Sequence, residues 1–142
     1  MLRLFAVLST AVFLSCSTEG SSGTDAGSGG FHDELKFGSS FTGFNLVGEG
    51  TSFSMAATSS NIAFRFESAA EFGDRFLRLH VYNSGGAPYG DDDYVPGQAN
   101  AHILLSTFRI THPGSYEVRA YLVPPGGGSE AHVITAPIQI TN

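Results

Sequence analysis

The chain has 142 residues, a length that suits one domain, with 14% charged residues, 12 Phe, 5 Tyr and 18 Gly. Scarce charge beside abundant aromatics excludes a disordered chain and favours a packed, strand-rich one. The net charge of −6 repels phosphate backbones, which argues against nucleic acid as a partner.

Met1-Leu2-Arg3 opens the chain with a positive charge, and Leu4 to Leu14 form an uncharged apolar stretch of eleven residues. That length matches the apolar region of a signal peptide and is too short to span a bilayer as a helix. Small Ser15 follows, then Cys16, the only cysteine, so no disulfide within the chain is possible. Phe13-Leu14-Ser15-Cys16 resembles the lipobox of bacterial lipoproteins. The resemblance implies removal of residues 1–15, acylation of Cys16 and attachment to a membrane of the cell envelope. Two or three acyl chains anchor stably, at about 0.8 kcal/mol for each buried CH₂. Ser17, which is not Asp, implies by the same resemblance the outer membrane over the inner. Loss of Arg3 with the leader makes the net charge −7.

Residues 17–30, STEGSSGTDAGSGG, hold no apolar side chain larger than alanine. Such a stretch cannot offset its ordering entropy by burial and reads, together with Cys16, as a flexible tether over 16–30. Its fourteen residues average roughly 20 Å end to end.

From Phe31 the pattern changes to period two, and residues 31–142 read as one domain. Ile62, Phe64 and Phe66 alternate with Arg65 and Glu67. Leu77, Leu79 and Val81 alternate with Arg78 and His80, and Tyr116 to Leu122 repeats the alternation. These are half-buried antiparallel strands, with others expected near 33–37, 43–47, 51–57, 102–110 and 131–140. Turn residues separate them at Asn83-Ser84-Gly85-Gly86, His112-Pro113-Gly114 and Pro124 to Gly128. Only Glu67 to Phe72 has room for a single helical turn. Pro137 cannot donate to a ladder, which places the last strand at an edge or gives it a bulge there.

Seven or eight short strands imply an all-β, antiparallel sandwich, with a small barrel as the competitor. Pro113-Gly114-Ser115-Tyr116-Glu117-Val118-Arg119-Ala120 resembles the turn and penultimate strand of immunoglobulin-like and fibronectin-type domains. That resemblance implies a tyrosine corner at Tyr116, its ring buried and its hydroxyl bound to a backbone group near Ile110 to His112. Val118 stands where a true immunoglobulin domain has its second cysteine.

Candidate chemistry is sparse. His32, His80, His102, His112 and His132 form neither H-x-H nor H-E-x-x-H. His102 and His132 share similar settings, Ala-His-Ile-Leu and Ala-His-Val-Ile, and would converge if their strands were neighbours. Asp91-Asp92-Asp93 offers oxygen ligands for Ca²⁺, although its spacing is not that of a calcium loop. It lies in a stretch, 83–101, that reads as a long exposed loop, where Tyr82, Tyr89 and Tyr94 form the candidate partner surface. No G-x-S-x-G occurs, and no Gly-rich segment carries a phosphate-loop lysine. The expectation is a non-catalytic, lipid-anchored envelope protein with no cofactor, binding an envelope protein or a glycan through loops. The alternatives are an accessory subunit of an envelope complex docked by a sheet edge, and a metal-dependent enzyme using the strand histidines.

Overall fold

The computed structural model describes residues 30–55, 60–96 and 100–142. The expected leader, Cys16 and the expected tether up to residue 29 lie outside the described residues.

Ten strands follow in chain order: β1 (Glu34–Gly38), β2 (Ser40–Thr42), β3 (Asn45–Val47), β4 (Ser52–Ser54), β5 (Ser60–Glu67), β6 (Phe76–Asn83), β7 (Pro88–Tyr94), β8 (Ile103–Ile110), β9 (Gly114–Val123) and β10 (Ala131–Thr141). Eight of them build two sheets, β1-β5-β8 and β4-β10-β9-β6-β7, while β2 and β3 form a small separate hairpin. All pairings are antiparallel except that of β4 with β10. Among the described residues there is no helix. The segment after Glu67 bends without one, its backbone held by Ser68 N–H on the His102 carbonyl at 2.9 Å and Phe72 N–H on the Ala101 carbonyl at 2.8 Å.

The apolar alternation explains why the sheets close face to face. Leu35 and Phe37 of β1, Ile62, Phe64 and Phe66 of β5, and Leu104, Phe108 and Ile110 of β8 are buried. Against them lie Leu77, Leu79 and Val81 of β6, Tyr116, Val118, Ala120 and Leu122 of β9, and Ile138 and Ile140 of β10. Each large side chain removed from water contributes about 1.5–3 kcal/mol, which drives the layers together. The result is a β-sandwich. Its penultimate strand, β9, buries Tyr116 at its third position.

Two expectations about elements are corrected. The long loop expected over 83–101 contains β7, which pairs with β6 along its length. Strand formers are scarce in Pro-Tyr-Gly-Asp-Asp-Asp-Tyr, so this edge strand is imposed by its neighbour and not by propensity. The last strand is an edge only in part: β4 covers it from Gln139 to Thr141, whereas Ala131 to Ile138 have no partner strand on that side among the described residues. Its bulge falls between His132 and Ile134, not at Pro137.

Candidate functional site on the five-stranded sheet

The three tyrosines expected to share a loop are separated by strand geometry. Tyr82 stands on the outer face of β6, while Tyr89 and Tyr94 turn into the seam between the sheets. Tyr94 meets Phe64 edge to face at 4.9 Å, and its hydroxyl donates to the Thr107 carbonyl of β8 at 3.1 Å. Tyr94 thereby satisfies a carbonyl on the edge of the smaller sheet that has no further strand among the described residues. Burial raises its phenol well above the usual range, with Asp92 adding to the shift. Tyr89 is the extra residue of a bulge, because Val81 pairs with Gly90 and Tyr82 with Pro88. The bulge re-aims its ring onto Tyr116 at 4.9 Å, and its hydroxyl accepts the Thr111 N–H at 2.7 Å. Tyr116 is 6% exposed and its hydroxyl donates to the His112 carbonyl at 2.8 Å.

The aspartates diverge for the same reason. Successive strand residues point to opposite faces, so Asp91 and Asp93 share a face with His80 and Arg78, and Asp92 lies opposite Leu79. Asp93 accepts both Nε and Nη2 of Arg78, at 2.6 and 2.8 Å. Three consecutive carboxylates that alternate in this way do not surround one Ca²⁺. No group of three His, Cys, Asp or Glu side chains among the described residues is placed to share a metal.

Nor do His102 and His132 converge. One precedes β8 in the smaller sheet and the other lies in β10 of the larger. His102 stacks flat on Phe31 at 4.1 Å, and its Nδ1 lies 2.9 Å from the Ser68 carbonyl oxygen. The enzyme reading built on their meeting loses its premise.

What the topology does bring together is the outer face of β7-β6-β9-β10. Arg78 lies between two carboxylates, Asp93 and Glu130, with Nη1 donating to Glu130 Oε1 at 2.5 Å. Arg78 hydrogen-bonds hold both carboxyls below their usual range, assisted at Glu130 by His80. His80 Nε2 lies 3.1 Å from the other Glu130 oxygen, and its ring meets Tyr121 edge to face at 5.1 Å. His132 approaches Tyr121 at 5.2 Å, and its Nε2 is 2.9 Å from the Thr135 hydroxyl. Arg119 lies over the Tyr82 ring at 4.3 Å and bonds Glu117 at 2.6 Å. The Glu117 hydrogen bond raises the Arg119 guanidinium further above its already high value.

Two shallow depressions border the Glu117–Arg119 pair. One of about 310 Å³ is lined by Tyr121, His132 and Thr135, the other of about 270 Å³ by Tyr82, Asn83 and Ser115, and both share Glu117 and Arg119. Preorganised donors, acceptors and aromatic rings on a rigid sheet suit reversible recognition of a polar surface. Sequence alternation marks Arg78, His80, Glu117, Arg119 and Tyr121 as outward-facing. Only the strand order shows that they adjoin. The chain matches no protein-family model and no curated protein.

Proposed function

We propose that this chain is a lipid-anchored protein of a bacterial envelope that performs no catalysis and holds a protein or glycan partner on the outer face of its five-stranded sheet. The lipobox-like run ending at Cys16 supports the anchor, and Ser17 favours the outer membrane. The continuous array Tyr82–Arg119–Tyr121–His80–Arg78 carries the binding reading, because its Tyr82, Arg119 and Tyr121, of the residue types enriched at binding hot spots, line two adjoining depressions. This moves the expected partner surface from the loops to the sheet.

Docking by a sheet edge draws support from the uncovered part of β10. Yet Pro137 removes a donor there and the bulge at His132–Ile134 breaks the ladder, two devices that blunt edges against strand addition. The face therefore takes precedence over the edge.

Affinity capture from the native envelope, using the lipidated chain and its Arg119→Glu/Tyr121→Ala variant, tests the reading. The partner is expected on the wild type and lost from the variant at unchanged melting temperature. Equal capture by both overturns the assignment to this face.

A further inference from the structure

Five large apolar side chains are exposed among the described residues: Phe31, Phe41, Phe44, Val47 and Val95. Three of them gather at one place. Phe41, Phe44 and Val95 line a groove of about 370 Å³ together with Ile103 and Leu105 of β8. Phe31 stacks on His102, which in sequence immediately precedes Ile103 of the groove lining. Val95 is 85% exposed and Phe44, in the turn of the β2–β3 hairpin, 45%. Contiguous apolar surface of this kind marks a contact with protein or membrane.

The entry point of the chain decides between them. Phe31 is the second described residue, so the chain from Cys16 enters the described part of the domain at the ring stacked on His102, the residue before Ile103 of the groove. Fourteen residues, Ser17 to Gly30, lie between Cys16 and Phe31, so this end of the domain is the one nearest in sequence to the proposed acyl chains. The hairpin Ser40-Phe41-Thr42-Gly43-Phe44-Asn45-Leu46-Val47 contains no charged residue, so its approach to lipid desolvates no ion. Arg65 and Glu67, on the neighbouring β5, are paired with each other at 2.6 Å, and Asp93 at the groove's edge is held by Arg78. Beyond that edge the outer face of the five-stranded sheet, with Arg78, His80, Glu117, Arg119 and Glu130, is lined with charged groups and would be costly to immerse.

We propose that the β2–β3 hairpin and Val95 rest on the lipid surface, with Phe41, Phe44 and Val95 in its interfacial layer and the five-stranded sheet turned away from it. This rests on the anchoring reading of the preceding subsection. Apolar side chains at an interface bury about 5–10 Å into the headgroup boundary. An acidic chain with only seven Lys and Arg does not depend on anionic lipid for this contact, so it is insensitive to salt.

The chain contains no Trp, so one substitution installs a single reporter. The full lipidated chain carrying Phe44→Trp, and separately Val95→Trp or Tyr121→Trp, is reconstituted in phosphatidylcholine vesicles with and without brominated acyl chains. Expected are a blue shift and loss of emission at 44 and 95, unchanged by salt, and neither at 121. Unquenched emission at 44 and 95 from protein that floats with the vesicles overturns the lipid contact and leaves the anchor standing. Protein that fails to float overturns the anchor and the contact together. A blue shift that arises without vesicles and deepens with protein concentration assigns the groove to a second copy of the chain and likewise overturns the proposal.

Discussion

Replacing Tyr116 by Phe removes one oxygen atom from the turn that carries the chain from one sheet to the other. The hydroxyl donates to the His112 carbonyl at 2.8 Å, four residues upstream. A net hydrogen bond contributes about 0.5–1.5 kcal/mol, and a buried carbonyl left without a donor costs about 1–3 kcal/mol. His112 sits in an exposed turn, where water partly replaces the lost donor, so the expected loss is about 1–2 kcal/mol. For a domain of this size that lowers the melting temperature by about 4 °C per kcal/mol. Tyr116→Ala also empties the space of a ring that is 6% exposed and packed on Tyr89. Its expected cost is about 3–5 kcal/mol. Tyr121, half-buried on the outer face of the same strand, serves as control, and Tyr121→Phe is expected to stay within about 0.5 kcal/mol. Urea titrations followed by ellipticity measure all three, with the slope unchanged if only stability moves. Equal midpoints for Tyr116→Phe and Tyr121→Phe would show that the hydroxyl does not hold the turn.

Cys16→Ala is expected to abolish lipid labelling and move the chain from the membrane fraction to the soluble one; retention on membranes at high salt refutes acylation as the anchor. Burial pushes the Glu67 carboxyl up, but the His32 N–H at 3.1 Å and the Arg65 guanidinium at 2.6 Å outweigh it and hold the carboxyl below its usual range. Its contribution is therefore present above the ordinary carboxylate value near about 4.3 and is lost as pH falls through the lowered folded value. Glu67→Gln should cost about 1.5–3 kcal/mol at neutral pH and flatten the acid limb of a stability–pH curve, and an unchanged limb would contradict the assignment. Tyr94, raised by burial and Asp92, gives the opposite sign: its contribution is present below the unfolded phenol value of about 10 and lost as pH rises beyond it. Tyr94→Phe should flatten that alkaline limb, and melting scans between neutral and alkaline pH decide it.

Local pattern carried the fold a long way. Period-two alternation in Ile62–Glu67, Phe76–Tyr82 and Tyr116–Leu122 states which residues face inward, because a strand has only two faces and water rejects one set. Gly and Pro marked the turns through backbone conformation alone, as at Gly114, whose φ of +155° lets the chain pass the Tyr116 ring. The expectation of a leader ending at Cys16 is equally local, resting on charge, apolar length and one thiol.

Tertiary structure decided everything that depends on neighbours. β7 is built from residues with little preference for a strand, and exists because β6 offers it an edge to pair with. The bulge that sends Tyr89 inward depends on register between two strands, which the isolated segment does not encode. His80, Arg78, Tyr121, His132 and Glu130 are spread over 55 positions of sequence, from 78 to 132. They form one surface only because β6, β9 and β10 lie side by side. A site assembled across strands is a property of sheet order, and sheet order follows from how two apolar faces close over each other, not from any one segment.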